Sequence, residues 1–600
     1  MTDLLDRLTF LEDRVRSYRQ TKEQAAPIQP EQQPELTQID LNPKQLEAVR
    51  LALKGESFVL TGAAGTGKTL TVNAIANAFL QNDEYNILDE EGYKLTRTLP
   101  MVTFRDPTGG VNEQETKPAI AFCAFTNRAV NNMAGNLRKH SPDLMDDLYS
   151  NFMTIHKLIE VAPEYYYDDV SQKDKMRFTP RRDDLNRLPI KVLIIEEASM
   201  VDLDLWHKLF IALEPDCQII LLGDLNQLPP VFGDSILNYG LIKLPVIELT
   251  HVYRQALDSP IIRQMHEVLK GIPPKTDTDD FQVITGKSTK PIGPDRTGKQ
   301  VANLMEKLYD NNQYDPIDDI VLSPFNKNGC GTIMLNTLIA SWLDKKYAQQ
   351  GEPRKVYEVI AGFNKHYYAV GDLVYDGQSK MQARITQINT NGNYYGTYPQ
   401  EASVSLSRFG IMDAGSGSSN NQNQPDELED FSYNTIDITT LPDGTAGGIT
   451  GIAGLTTDEA EKKLLSSSHV ITLELEDGTE VSRDSAGEVN ALDFGYCLTT
   501  HKAQGCEWAN VFVVIHQSHF IANREWLYTS GTRAKNKCYI ITKPDTLKAV
   551  VARQRIKGNS LEAKIKGFNK KLLDKLAKHN PEQEQELRTI TFNRREYKHV

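Results

Sequence analysis

The stretch "FVLTGAAGTGKTLT" constrains this chain more than any other. Gly62, Gly65, Gly67, Lys68 and Thr69 fit the spacing G-x-x-x-x-G-K-[ST], preceded by the short apolar run "SFVL" and followed by the helical pattern "LTVNAIANAFL". That order of elements suits a phosphate-binding loop. Glycines let backbone N–H groups wrap a β-phosphate at a helix N-terminus, a lysine neutralises the β/γ oxygens, and a hydroxyl ligates Mg²⁺. The loop commits the chain to an α/β fold that takes ATP, with Gly62, Gly65, Thr66 and Gly67 as the cradle, Lys68 at the phosphates and Thr69 toward the metal. A chance glycine-rich turn does not account for the strand and helix around it.

The stretch "KVLIIEEASM" supplies the next element. Its run Val192 to Ile195 reads as a strand covered on both faces, as in parallel sheets, whose C-terminal edge is where ligands bind. A short buried helix followed by solvated acids is the alternative, and the phosphate loop decides for the strand. Glu196 is then expected in the Mg²⁺ shell, and Glu197 as the general base that polarises the attacking water. A second buried run, "CQII", leads into "LLGDLNQLPPV" and places Asp224 and Gln227 at a strand end, where an amide can sense a γ-phosphate. Gln45 of "LNPKQLEAV" can donate to and accept from an adenine edge, or is a solvated helical glutamine. Taken singly, Arg254 in "ELTHVYRQ" and Arg533 in "LYTSGTRAKNK" read equally as plain surface cations or as site residues. Taken together, from two α/β regions, they suggest a nucleotide clamped in the cleft between domains.

Composition bounds the rest. A chain of 600 residues, 40% hydrophobic and 24% charged, is long enough for several cores. The six cysteines (Cys123, Cys217, Cys330, Cys497, Cys506, Cys538) are scattered without C-x-x-C or paired histidines, so neither zinc nor a disulfide framework is indicated. No apolar run approaches the ~20 residues that span a bilayer, and the acidic N-terminus lacks a signal-peptide core, so the expected location is the cytoplasm, a host's if the chain is phage-encoded. A net charge of −13 argues against a uniformly basic nucleic-acid binder and leaves a local basic groove open.

The ordered blocks "LNPKQ", "GAAGTGKT", "AFTNRAV", "TIHKLI", "IIEEASM", "GDLNQLPPV", "LTHVYRQ", "VLSPFNKNGCGTIMLN", "VGDLVY", "LTTHKAQGCEW" and "LYTSGTRAK" span about residues 41 to 540. This set resembles the superfamily 1B helicases of the RecD-like group, with the Dda helicases of T-even phages as the nearest likeness. The resemblance implies two RecA-like P-loop motor domains, a β-hairpin pin and an SH3-like β-barrel insertion. It implies an ATP- and Mg²⁺-dependent DNA helicase that works on single-stranded and forked duplex DNA in replication, recombination or repair. Movement is expected 5′ to 3′, as a monomer without a membrane partner, with a single-strand-binding protein or replisome component as a further partner. It places Tyr253, Gly505 and Glu507 at the nucleotide. Thr126, Asn127, Thr154, His156, Asn326, Thr500 and His501 would line a single-strand groove; each hydroxyl, amide or imidazole is otherwise a helix cap or turn residue. The family usually has Asp-Glu where this chain has Glu196-Glu197, so the first acid is one methylene longer and a retuned ATPase is expected. An RNA helicase, a protein-stripping translocase and an ATP-gated binding module are the other readings.

The expected organisation is a helix and Pro/Gln-rich linker over 1–39, a first motor domain over 40–252 with a pin at 158–186, a second over 253–364 and 490–545, a β insertion over 365–489 with a polar loop near 413–430, and a basic extension over 546–600. Phe178 and Tyr166 are the pin's candidate wedge, since an aromatic face can replace a fraying pair's stacking partner; packing within the hairpin is the other role. The Gly371-Asp372 turn looks structural. From Lys543 to Val600 the chain carries 15 Lys/Arg against 7 Asp/Glu. The stripe Leu561, Ile565, Phe568, Leu572, Leu573 and Leu576 makes an amphipathic helix that either packs on a motor domain or reaches DNA phosphate or an acidic partner.

Overall fold

The computed structural model describes residues 37–38, 41–80, 85–86, 97–105, 114–142, 148–168, 173–230, 234–285, 294–327, 330–361, 364–390, 394–395, 466–476, 478–516, 521–555, 558 and 560–576. The expected N-terminal helix and the polar loop near 413–430 lie outside the described residues.

The first α/β domain is a parallel sheet in the order Val246–Leu249, Phe58–Gly62, Gln218–Gly223, Val192–Ile195, Ile120–Ala124, Phe152–Thr154. Its apolar runs read as they do because both faces are covered. Leu193, Ile195, Ile219 and Leu221 enter a core with Leu205, Trp206 and Leu209 of the helix Leu203–Ile211. Val192, Ile194, Ile220 and Leu222 enter a second core with the helices Pro43–Lys54 and Lys68–Leu80. Strand alternation thus divides one run between two cores. The C-terminal ends of three adjacent strands bring Gly62, Asp224 and Glu196 to the same edge.

The second domain repeats the plan, in the parallel order Phe281–Thr285, Ala534–Thr542, Trp508–Val514, Ile320–Ser323, Cys497–Thr499. Antiparallel β structure interrupts it. That structure begins at Val356–Ala361, upstream of residue 365, because this strand pairs with Asn364–Ala369 and leaves the parallel sheet. A five-stranded sheet follows, in the order Glu480–Ser485, Ser466–Leu475, Met381–Asn389, Leu373–Asp376, Leu492–Phe494. The Gly371-Asp372 turn fastens it to the second domain. Asp372 is fully buried and accepts from Arg354 at 2.9 Å, while Arg354 also meets Asp344 of the helix Thr332–Gln349 at 3.3 Å.

Within the first domain, between its strands Phe152–Thr154 and Val192–Ile195, Val161–Asp168 and Lys173–Pro180 pair as an antiparallel hairpin with Tyr166 opposite Lys175 and Phe178 opposite Pro163. The helix Pro544–Ala552 closes on the second domain, whereas Leu561–Leu576 packs on the first through Leu561, Ile565 and Phe568. Among the described residues no helix is long and apolar enough to cross a membrane, and all six cysteines are buried free thiols.

Candidate nucleotide site and strand groove

The loop after Phe58–Gly62 is held in a shape that only glycine tolerates at two points. Gly65 has φ +79°, and a Cβ there would lie 2.6 Å from Ala256 Cβ. Gly67 has φ +85°, and a Cβ would fall 2.7 Å from Gln45 Nε2 and 2.8 Å from Tyr253 Cε2. Left-handed backbone and close approach together forbid a side chain. Thr66 is buried and donates to Ala63 O at 2.8 Å. Lys68 opens the following helix, and its ammonium donates to Gly62 O at 2.7 Å and Ala63 O at 3.2 Å. Thr69, the next residue, is partly exposed.

Gln45 sits behind this loop. It is a capping-box residue of the helix Pro43–Lys54, accepting from Asn42 N at 2.9 Å and from the Tyr253 hydroxyl at 2.5 Å, and donating to Gly67 O at 3.2 Å. Tyr253 N in turn donates to Gly65 O at 3.1 Å. Gln45, Tyr253 and the loop are therefore one bonded unit. Gln45 is fully buried, which sets aside the solvated-glutamine reading.

Glu196 leaves the end of Val192–Ile195, its N–H bonded to Cys123 O at 2.8 Å. Burial first, then the repulsion of Glu197, push its carboxyl up to about 7, while Lys68 opposes the rise. Glu197 adopts φ 52°, ψ 40°, a left-handed conformation for a residue with a Cβ, and its Oε2 is buried without a partner. Such backbone costs on the order of 1–3 kcal/mol and persists where surrounding structure imposes it. Two crowded acids, one with an orphaned oxygen, are oxygen donors suited to Mg²⁺, which takes one or two protein ligands and completes its shell with water and phosphate. Among the described residues no cluster of three or more His, Cys, Asp or Glu forms a separate metal cage.

The segment Asp224 to Leu228 of the first domain is bonded largely to the second. Asp224 is buried and accepts from the Tyr528 hydroxyl at 2.6 Å; the same hydroxyl accepts from Ala64 N of the phosphate loop at 2.7 Å. Leu228 N donates to Thr529 Oγ1 at 3.1 Å, and Leu228 O accepts from Gln504 Nε2 at 2.7 Å. Gln227 hangs between these fixed ends, and its buried Oε1 has no partner. Tyr528, Thr529 and Gln504 were not singled out from sequence; the only signal is the hydroxyl run Tyr528-Thr529-Ser530 just before Arg533.

Arg254 is the first residue of the short helix Arg254–Asp258, one position after Tyr253 on the phosphate loop; its side chain lies outside the described residues. Arg533 is buried and donates within its own domain, to Thr529 O at 3.1 Å and Cys506 O at 3.3 Å. That brings it to the Gly505-Cys506-Glu507 turn. Gly505 has φ +75° and leaves only 2.9 Å between a built Cβ and Thr126 Oγ1, so the two domains abut here. Its carbonyl accepts from Asn132 of the first domain at 3.1 Å. Glu507 is exposed, and its carbonyl accepts from Arg128. Arg128 also stacks on Trp508 at 4.8 Å and pairs with Glu476 of the β insertion at 2.7 Å, so one side chain joins all three units.

Thr126 caps the helix Asn127–His140, and Thr154 caps Ile155–Leu158. Asn127 Nδ2 approaches Met381 Sδ of the insertion at 4.0 Å. His156 lies edge-on to Phe125 at 5.8 Å; burial, then Lys380, push its imidazole down to about 4. Lys380 stands over the Phe125 ring at 4.4 Å. Asn326 is exposed, accepts from Thr332 at 3.0 Å, and lines a cavity of about 370 Å³ with Lys365, His366, Thr499 and Lys502. Thr500 differs from the groove expectation. It is fully buried with its hydroxyl 2.8 Å from Ser530 Oγ of the helix Arg524–Gly531, so it offers a strand no exposed atom. His501 beside it is partly exposed, with its pKa lowered by burial and by Arg555. The Phe178 and Tyr166 side chains lie outside the described residues.

The AAA domain family matches residues 45–233, and the UvrD-like helicase C-terminal domain family matches residues 494–541. The ATP-dependent RecD2 DNA helicase of Deinococcus radiodurans is 24% identical over 501 residues, covering 83% of this chain and 48% of the relative. The RecBCD enzyme subunit RecD of Mycobacterium tuberculosis is 30% identical over 201 residues, 32% of this chain and 28% of that one. The chain thus spans about half the length, or less, of these relatives. Among solved structures, Pif1 helicase from Candida albicans aligns with a TM-score of 0.39 at 15% identity over 89% of this chain and 99% of that chain. The chain is thus similar to RecD-type helicases, with the AAA match on the first α/β domain and the UvrD-like match on the second.

Proposed function

We propose that the chain is an ATP-dependent DNA helicase that tracks along single-stranded DNA, 5′ to 3′, and parts the duplex ahead of it. The observation that carries this reading is the Asp224–Leu228 segment: the loop holding Gln227 at the nucleotide edge of one domain is bonded to Tyr528, Thr529 and Gln504 of the other. A change at the phosphates is thereby a change at the domain interface, which is what converts hydrolysis into movement. In this reading Lys68 releases its loop carbonyls to meet the phosphates, Glu197 orients and deprotonates the attacking water, and Arg254 and Arg533 stabilise the charge that develops on the transferred group. Thr69 and Glu196 would hold Mg²⁺, which when bound would supply charge neutralisation at the phosphates. Gln45 and Tyr253 hold the adenine side, and Gly505 and Glu507 the γ-phosphate and ribose side.

The strand lies across Thr126, Asn127, Thr154, His156, Asn326 and His501. These are neutral polar groups at loops and helix starts, fitted to sugar and phosphate contacts without a base code. The hairpin 161–180 serves as the pin, and the β insertion, read as an SH3-like barrel as in Dda-type enzymes, covers the strand. The motor works as a monomer. Steady-state ATPase with DNA and RNA single strands tests the reading: strong stimulation by DNA supports it, equal stimulation by RNA favours the RNA-helicase alternative, and no turnover removes the enzyme altogether.

A further inference from the structure

The helix Leu561–Leu576 is reached from the second domain and docks on the first. The chain leaves the second domain's core at Val550 and Val551, both fully buried there. Leu561, Ile565 and Phe568 then join the first domain's core with Trp206, Phe210 and Tyr239, Phe568 being 5% exposed. Apolar burial explains the docking. It does not explain Lys564. Lys566, Lys570 and Lys571 of the same helix are exposed, as a solvated basic face requires, whereas Lys564 turns inward and donates to Asn226 Oδ1. Burial pulls the pKa of its ammonium below the usual lysine value, while Asp224, Glu525 and Glu248 attract the charge and Arg524 opposes it. It lines a cavity of about 320 Å³ with Gly62, Ala63, Thr66 and Asn226.

Asn226 is the residue whose N–H and Nδ2 both donate to Asp224, at 2.8 and 3.0 Å. Asp224 in turn takes the Tyr528 hydroxyl. Lys564, Asn226, Asp224 and Tyr528 therefore form one line of contacts from the C-terminal helix through the loop to the second domain, with Gln227 next to Asn226 in the chain. We infer that Lys564 is a positioning residue: through Asn226 and Asp224 it fixes the loop that presents Gln227 to the nucleotide. The helix that carries it lies beyond the residues matched by the UvrD-like family, which end at 541. The inference rests on the ATPase reading above and adds to it a dependence of turnover on this C-terminal segment.

The test uses the full chain with Lys564→Met and Lys564→Arg, measuring strand-stimulated ATPase, melting temperature and hydrogen exchange at residues 225–228. Lys564→Met keeps the stem's packing and removes the charge. It is expected to lower kcat about ten- to hundredfold, as misplacement of a catalytic group does, with KM for ATP within about twofold and Tm within ~2 °C. Exchange at 225–228 accelerates, and Lys564→Arg restores most of kcat. Unchanged kcat with unchanged exchange in an active enzyme overturns the inference alone, as does a loss of kcat that only follows a fall in Tm. A wild type with no ATPase defeats the functional reading instead, and the exchange measurement still decides whether Lys564 holds the loop.

Discussion

Tyr528→Phe removes one oxygen atom and leaves the ring in a fully buried site. Two bonds go with it: the donation to Asp224 at 2.6 Å and the acceptance from Ala64 N at 2.7 Å. The first is a hydrogen bond to a charged group, worth ~1.5–3 kcal/mol, and the second leaves an amide without a partner, at ~1–3 kcal/mol. Asp224 keeps both bonds from Asn226, and water entering the cleft returns part of the loss, so about 2–4 kcal/mol is expected. Apart from Leu228 and Ala64, which reach into a core of the second domain, the first domain has its own cores, so the loss falls on the interface between them and not on the fold of either. At ~1.4 kcal/mol per factor of ten, the equilibrium constant for holding the two domains in this arrangement falls ~30-fold or more. Fluorescence transfer between one label in each domain, read without nucleotide, should shift toward the open state. Strand-stimulated kcat should fall by at least ~10-fold while each domain's melting transition stays in place. A transfer distribution and kcat within twofold of wild type would refute the claim that this hydroxyl couples the domains.

Lys68→Ala is expected to abolish ATP hydrolysis and leave circular dichroism unchanged, whereas Glu197→Gln should retain bound ATP in a filter assay with little turnover; measurable hydrolysis in either contradicts the assigned role. Phe178→Ala should leave strand-stimulated ATPase near wild type and reduce duplex unwinding, read by gel; preserved unwinding would return Phe178 to packing within the hairpin. The imidazole of His156, pushed down to about 4, is neutral above that value, so its charge does not change between pH 6 and 8. Strand affinity measured across that range should therefore show the same pH dependence in wild type and His156→Gln, and a slope lost only in the variant would show that His156 titrates there.

The parts legible in the sequence are those where physics leaves little choice of residue. Gly65 and Gly67 had to be glycines at φ +79° and +85°, so their spacing identifies the loop. Val192 to Ile195 are all fully buried because parallel strands are covered on both faces, so the run announces the strand and the acids at its end. The part of the C-terminal stripe formed by Leu561, Ile565 and Phe568 is equally readable, the Leu572, Leu573 and Leu576 side chains lying outside the described residues, but not the surface that receives it, since Phe568 meets a core assembled from residues more than three hundred positions upstream. Tyr528, Thr529 and Gln504 were illegible for the same reason: a tyrosine inside a helix has no pattern that names Asp224 and Ala64 as its partners. Thr500 was misplaced because a hydroxyl at a strand end looks alike whether it faces a groove or, as here, the neighbouring Ser530.

The most direct test is to offer the wild-type chain, with ATP and Mg²⁺, one DNA duplex carrying a single-stranded tail on either its 5′ or its 3′ end. The account predicts that the 5′-tailed duplex is separated, that the 3′-tailed duplex is not, and that Lys68→Ala separates neither. Separation of the 3′-tailed duplex would contradict the direction, and failure to separate either duplex while ATP is consumed would contradict the claim that this cleft drives strand separation.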